Sequence, residues 1–199
     1  MSPKLILLVI AAYLSGRIPT AYIVGRLKAG IDITQHGSGN VGGTNALRVL
    51  GLGPALLVAM IDISKALLPT LLAKKLFVVE IWPALVVALA AILGHNYSAY
   101  LRLRGGKGIA TTIGACLVLF PSQVLYLLPL ALAVVFLTRY VSLGSLALVT
   151  SLPLLLIYQR ATPVEVCFAL AIALLGIWRH RANIARLLTG TENRLGSKK

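Results

Sequence analysis

Seven stretches of mostly apolar residues run along the chain, separated by short segments that carry most of its charge. A helix needs about 20 apolar residues to cross the hydrocarbon core of a bilayer, with a range of about 17–25. The pattern predicts an all-α integral membrane protein in which some helices are short. The apolar runs cover residues 3–24, 53–73, 79–100, 109–120, 122–137, 141–158 and 163–178.

The first run resembles a signal peptide only superficially. Arg17 and Pro19 interrupt it, and no small-residue cleavage site follows before Arg26. We therefore interpret it as a retained helix.

The segment 109–137 decides the number of spans, because its 29 residues are long for one helix and short for two. Pro121 lies near its middle. With two helices here and the N-terminus outside, thirteen of the nineteen Lys and Arg residues are cytoplasmic and four are outside. With one helix the counts become seven inside and ten outside. Because cytoplasmic loops carry the excess of Lys and Arg, we predict a seven-transmembrane-helix bundle with the N-terminus outside and the C-terminus cytoplasmic.

Composition supports the membrane assignment. The 199 residues are 58% hydrophobic and 12% charged, with a mean hydropathy of +0.91, whereas a soluble domain is about 45–50% apolar and about 25% charged. The net charge of +14 would indicate nucleic-acid binding in a soluble chain. When the Lys and Arg residues are assigned to the two sides of the membrane, most fall on the cytoplasmic side. Membrane topology and a phosphate pocket then explain the positive charge better than nucleic-acid binding does, so we expect no nucleic-acid partner. No repeat or linker divides the chain, which predicts one polytopic membrane domain over residues 1–199.

The longest predicted loop contains a glycine-rich segment, residues 36–48. Glycines let backbone N–H groups turn toward one point and let an oxyanion approach closely, and a helix that begins near Thr44 or Asn45 would add its N-terminal amides. A dinucleotide-binding pattern also matches, but it requires a βαβ unit. We predict an anion site here, with a flexible connector as the alternative. The candidate residues are Ser38, Gly39, Asn40, Gly42, Gly43, Thr44, Asn45 and Arg48.

A second loop on the same predicted side, residues 102–112, places three cations beside three glycines at the start of a helix. It is not a Walker A loop, because Gly108 stands where that motif requires Ser or Thr. A topology signal would account for the arginines but not for the glycines around the lysine. We predict that Gly105, Gly106 and Lys107 bind a phosphate.

Polar residues recur on the predicted cytoplasmic side near the C-terminus. On a helix that continues through His180, this residue and Asn183 share one face at three-residue spacing, and Ser145 lies at the start of another helix on that side. An amphipathic tail that binds anionic lipid is the competing interpretation. We expect these groups and the two glycine-rich loops to form one basic pocket at the cytoplasmic membrane surface.

Several ionisable residues fall within predicted spans, where they are costly. Asp62 and Lys65 are three residues apart on one helix, so mutual pairing and a direct role in the site both remain open. His95 lies close enough to the second loop to reach toward it.

Few catalytic chemistries fit these residues. Three scattered His and five acids give no metal-ligand cluster. A His-x4-Asp acyltransferase box is absent, because the residues five positions after the histidines are Val41, Tyr100 and Ala185. We expect no metal and no cofactor, and catalysis by positioning and charge stabilisation.

Three stretches resemble, in order, the signature sequences of the bacterial acyl-phosphate:glycerol-3-phosphate acyltransferases, the PlsY family. They are residues 37–45 with Arg48, residues 94–95 leading to 105–111, and residues 180–187. The resemblance implies transfer of a fatty acyl group from acyl phosphate to the primary hydroxyl of glycerol 3-phosphate, giving lysophosphatidic acid and phosphate. It implies direct attack without a covalent enzyme intermediate, as the first acylation step of phospholipid synthesis at the inner membrane.

On this hypothesis, residues 38–45 hold the phosphate of the acyl phosphate through their amides, while Arg48 and Lys107 bind anionic oxygens. Ser145, His180 and Asn183 orient glycerol 3-phosphate. Either His180 or a phosphate oxygen of the substrate accepts the hydroxyl proton. We expect a monomer that contacts only its two substrates and the bilayer.

Two other classes of function remain as alternatives. A transporter of a phosphorylated metabolite would also need basic pockets, but transporters usually show inverted repeats and sites at the midplane. A membrane-surface scaffold with a lipid-binding tail leaves the two glycine-rich loops unexplained.

Overall fold

The structure is a computed structural model that describes residues 2–196. Its regular elements are all helical, as predicted, and every predicted apolar run contains helix. Within residues 2–196 the helices are α1 (Pro3–Gly16), α2 (Thr20–Ala29), α3 (Gly43–Leu50), α4 (Leu52–Leu76), α5 (Trp82–Asn96), α6 (Ile109–Leu119), α7 (Pro121–Thr138), α8 (Val141–Tyr158), α9 (Pro163–Arg179) and α10 (Arg181–Leu188). Short 3₁₀ turns cover Ile33–Gln35 and Ala99–Leu101.

Prolines set two of the helix boundaries. α6 ends at Leu119 and α7 begins at Pro121, so the predicted division of the segment 109–137 into two helices is confirmed. Pro19 separates α1 from α2 in the same way. Proline has no N–H to donate and is tolerated in the first turn of a helix, where that donor is not needed.

Among residues 2–196, five helical segments are long and apolar enough to cross a membrane, counting Pro3–Ala29 as one and Trp82–Leu101 as another. The bent pair of α9 and α10 adds a sixth if it forms one span. α6 has 11 residues and is about 16 Å long, well short of the roughly 30 Å hydrocarbon core. The count of seven spans and the placement of the termini stay predictions.

Helix contacts divide the chain into two compact units, Met1–Leu119 and Phe120–Lys199, which we call the N-terminal unit and the C-terminal unit. α4 is the centre of the N-terminal unit, because it packs against α1, α2, α3, α5 and α6. α4 and α6 approach so closely that a Cβ on Gly114 would collide with the carbonyl of Ile63. The Lys74 ammonium donates to the carbonyl of Val118, 2.9 Å away. The order of the two contacts means that α4 and α6 run parallel.

In the C-terminal unit, α8 packs against both α7 and α9. The prediction of one helix continuing through His180 is wrong, because α9 and α10 meet there at an angle of 61°. The backbone of His180 has ψ 5°, outside the helical range. Its amide and its ring nitrogen Nδ1 lie 3.0 and 2.8 Å from the same carbonyl, that of Gly176.

Candidate functional site

Asn45 holds the first glycine-rich loop in shape from its buried side. Its Oδ1 accepts a hydrogen bond from the amide of Ser38 (2.8 Å), and its Nδ2 donates to the carbonyls of His36 (3.0 Å) and Ile33 (3.3 Å). Only 1% of Asn45 is exposed. The side chain therefore fixes the course of the loop, and direct binding of phosphate by Asn45 stays a prediction.

The predicted helix at the end of this loop is confirmed, since α3 begins at Gly43 with Gly42 as its N-cap. Amides in the first turn of a helix have no partner within the helix. Those of Ser38 and Gly39 are already used inside the loop, by Asn45 and by the carbonyl of His36. Backbone binding of an anion would therefore come from the stretch between Asn40 and the first turn of α3, which contains Thr44.

The second glycine-rich loop is pressed against the end of α5. Gly105 and Gly106 are buried and Lys107 is half-buried. The amide of Gly106 donates to the carbonyl of His95, 3.0 Å away. A Cβ on Gly106 would collide with the His95 ring. The two glycines are thus required by the close approach of α5, whichever ligand the loop binds.

Both loops lie at the same end of the N-terminal unit. One buried apolar cluster under the first loop includes Ile33, Val41 and Ala46, and Leu101, which precedes the second loop, packs against it. Arg48 is exposed in the last turn of α3. The structure therefore brings the two predicted phosphate loops onto a shared support, as expected from their common membrane side.

Asp62 and Lys65 pair with each other, with 2.5 Å between Nζ and Oδ1. Both side chains are buried. Of the two interpretations that the sequence leaves open, mutual pairing is the one that the structure supports.

His180, in the C-terminal unit, is buried between α9 and α10 with 2% of its surface exposed. Its Nδ1 lies 2.8 Å from the carbonyl oxygen of Gly176. Because a carbonyl oxygen can only accept, Nδ1 carries the hydrogen, and the lone pair of the neutral ring is on Nε2. The ring is thus held in the tautomer that can accept a proton at Nε2.

Ser145 and Asn183 are held in different ways. The hydroxyl of Ser145 donates back to the carbonyl of Val141, 2.9 Å away on the same helix. Asn183 is 5% exposed, and its Nδ2 donates to Glu192 at 2.7 Å. The predicted roles of Ser145, His180 and Asn183 at a substrate stay predictions.

Glu192 is the residue of this region that sequence reasoning missed. Its carboxylate accepts hydrogen bonds from Ser142 (2.9 Å), Asn183 (2.7 Å) and Arg186 (2.8 Å). Burial pushes the pKa of Glu192 upward, but these hydrogen bonds outweigh it and hold the pKa below its ordinary value. Glu192 thereby ties α8 to α10. The available signal was a lone acid in a tail that carries six cations.

Comparison with known proteins assigns this arrangement to a family. The family model for glycerol-3-phosphate acyltransferase matches residues 6–190. A glycerol-3-phosphate acyltransferase of Halalkalibacterium halodurans is 45% identical over 198 residues, covering 97% of this chain and 96% of the relative. One of Thermus thermophilus is 48% identical over 193 residues, covering 94% and 93%.

Two solved structures have the same fold. Both are of PlsY, an integral membrane glycerol 3-phosphate acyltransferase, one in its glycerol 3-phosphate form and one in its lysophosphatidic acid form. Their TM-scores are 0.93 and 0.90, at 39% identity, and each comparison covers 97% of this chain and 96% of the other.

We predict that Glu192→Gln lowers the stability of the protein by about 1–3 kcal/mol at neutral pH, because an amide replaces a carboxylate that accepts three hydrogen bonds. The lowered pKa means that the carboxylate stabilises the fold above its ordinary pKa of 4.5 and loses that effect as pH falls through the folded-state pKa. The difference in Tm between variant and wild type, measured in detergent, should therefore narrow below about pH 4.5.

The matched control is Glu165→Gln. Glu165 is half-buried and caps the start of α9 through solvent-exposed hydrogen bonds to Thr162, so a small shift in Tm is expected. Equal shifts for the two variants would contradict the organising role of Glu192.

Proposed function

Because the chain belongs to the glycerol-3-phosphate acyltransferase family, we propose that it transfers a fatty acyl group from an acyl phosphate to the primary hydroxyl of glycerol 3-phosphate. The products are lysophosphatidic acid and inorganic phosphate. The protein is an integral membrane acyltransferase of phospholipid synthesis. The acyl phosphate donor, direct transfer and the topology described below are our proposals.

The pair of glycine-rich loops on one apolar support is the observation that carries the donor assignment. Each loop places a cation beside glycines, Arg48 after the first and Lys107 in the second. Two such loops suit two phosphate-bearing substrates better than one phosphate and a thioester. Acyl phosphate and glycerol 3-phosphate both fit that requirement.

The reaction needs no acyl-enzyme. Acyl phosphate is a mixed anhydride, so the glycerol hydroxyl oxygen can attack its carbonyl carbon directly. The carbon–oxygen bond to phosphate then breaks, and phosphate leaves with the electron pair. Lys107 and Arg48 stabilise the phosphate charge, and the protein contributes positioning and electrostatics rather than a nucleophile.

The proton of the attacking hydroxyl has two possible acceptors. The tautomer fixed by Gly176 leaves Nε2 of His180 able to accept it. A phosphate oxygen of the substrate is the other. In either case Asn183 and Ser145 orient glycerol 3-phosphate, while residues 38–45 surround the donor phosphate and supply backbone amides from Asn40 onward.

The proposed topology has seven spans, with the N-terminus outside and both loops facing the cytoplasm across the inner membrane. The excess of Lys and Arg on one side of the predicted spans supports it. We further propose that the chain forms one domain, because no repeat or linker divides the sequence, and that it acts as a monomer.

Phosphate release tests both the donor and the direct mechanism. Purified protein should release one phosphate per lysophosphatidic acid from a long-chain acyl phosphate only when glycerol 3-phosphate is present. Acyl phosphate alone should give no burst of phosphate equal to the enzyme concentration. A stoichiometric burst would show a covalent intermediate. Turnover of glycerol 3-phosphate with a thioester as the sole acyl donor would contradict the proposal that acyl phosphate is the donor.

Lys107→Ala should lower kcat/KM by about 10- to 100-fold, mainly through KM, because a hydrogen bond from a charged group to the substrate phosphate is worth about 1.5–3 kcal/mol. Lys28→Ala is the matched control, since Lys28 is exposed at the end of α2. It should leave turnover unchanged. Normal acyl transfer by Lys107→Ala would remove that residue from the site.

The pH dependence of His180→Gln identifies the proton acceptor. If His180 is the base, the acidic limb of the wild-type kcat/KM profile should disappear in the variant. If the limb persists at a reduced rate, the substrate phosphate accepts the proton.

A further inference from the structure

A cluster of polar side chains lies buried in the apolar interior of the N-terminal unit. Asp62 and Lys65 are 1% and 6% exposed. The hydroxyl of Thr20 donates to Oδ1 of Asp62 at 2.9 Å, beside the 2.5 Å contact from Lys65. His95, 6% exposed, places Nδ1 at 3.8 Å from the same oxygen. The cluster therefore joins the start of α2, the middle of α4 and the end of α5.

Part of this cluster has a purely structural use. Lys65 also donates to the carbonyl of Ile18, 2.6 Å away, at the break between α1 and α2. Pro19 follows that carbonyl and cannot donate an N–H. The ion pair thus stabilises the helix break, and that use does not involve His95.

His95 links the ion pair to the second glycine-rich loop. One edge of its ring faces Asp62, and its other nitrogen, Nε2, faces Gly106. Its carbonyl accepts the amide of Gly106 and also blocks any Cβ on Gly105. Both the ring and the backbone carbonyl of His95 therefore determine the position of the loop backbone immediately before Lys107.

We propose that His95 and Asp62 are positioning residues for Lys107. The charge of Asp62, 3.8 Å from Nδ1, orients the ring of His95, and His95 fixes the backbone of Gly105 and Gly106, so that the Lys107 ammonium meets a substrate phosphate. This inference rests on the proposed function through the role of Lys107. Neither positioning residue touches substrate. Their loss should weaken phosphate binding more than it slows the chemical step.

The first test is the split between KM and kcat in His95→Phe, which keeps a ring of similar size but removes both nitrogens. We expect KM to rise about tenfold or more for the substrate whose KM also rises in Lys107→Arg, with kcat changed less than about threefold. A fall in kcat at unchanged KM would overturn the proposal. Thermal unfolding in detergent checks that the variant is folded.

A double-mutant cycle then separates positioning from a general loss of structure. If His95 acts through Lys107, its loss should cost little once Lys107 is altered. The KM of the double variant His95→Phe with Lys107→Arg should lie within about twofold of the higher single value. Multiplying effects would show that the two residues act independently and would overturn the proposal.

The ion pair is tested by replacing both partners together, Asp62→Leu with Lys65→Met. This change leaves no buried unpaired charge, so it avoids the main cost of breaking such a pair. We expect the same substrate KM to rise as in His95→Phe. A folded double variant with wild-type KM would remove Asp62 from the proposal. If the double variant does not fold, Thr20→Val provides a second test, because it removes one hydrogen bond to Asp62. Thr20→Val should raise the same substrate KM at least twofold. An unchanged KM would again exclude Asp62 from the proposal.

Thr70→Val is the matched control. Thr70 carries a fully buried hydroxyl on α4, eight residues beyond Asp62. The KM values of the Thr70→Val enzyme should equal those of wild type.

Failure of the proposed function would give a different result from failure of the positioning proposal. A wild-type protein inactive with acyl phosphate contradicts the donor, and glycerol 3-phosphate affinity by calorimetry then replaces KM. If the wild-type protein is active with acyl phosphate and the His95→Phe variant has an unchanged KM, only the proposed positioning of Lys107 by His95 is contradicted.

Discussion

The buried Asp62–Lys65 ion pair is the constraint on which the N-terminal unit depends. In a bilayer, helices gain little from apolar contact alone, because lipid is as apolar as the side chains it replaces. A charged pair in that setting is tolerated only when each partner is satisfied. Here the hydrogen-bond partners are Thr20 and the carbonyl of Ile18, and the ring of His95 lies nearby, 3.8 Å from Asp62. Satisfying one pair therefore fixes where α2 starts.

The three polar regions share one arrangement. Each loop or tail that carries predicted substrate-binding residues is held in shape by a buried polar residue. This residue is Asn45 in the first loop, His95 at the second loop and Glu192 in the tail. Exposed or half-buried cations, among them Arg48 and Lys107, lie on these supports. A rigid support of this kind favours precise placement of the side chains that it carries.

Much of this could be predicted from the sequence, because it depends on local patterns. Apolar runs mark the helices, Pro121 divides one of them, and glycines precede the helix that begins at Gly43. The bend at His180 could not be predicted, since no proline or glycine stands at the junction of α9 and α10 to mark it. Glu192 escaped notice because its three partners are distant or unremarkable in sequence. The sequence predicts that the glycines of the second loop contact phosphate. The structure gives a second reason for glycine at these positions, because the end of α5 packs too closely against the loop to leave room for a Cβ.

The shortness of α6 has a consequence for depth. Gly114 meets α4 at Ile63, and the two helices run parallel. Ile109, five residues earlier, is therefore about level with Val58, roughly 9 Å along α4 from Leu52. The loop that carries Lys107 is recessed below the end of the central helix rather than raised on it. Under the proposed function, an acyl phosphate would bring its phosphate to Lys107 while its hydrocarbon tail stays at the depth it already occupies, so catalysis would not require the tail to be lifted into water.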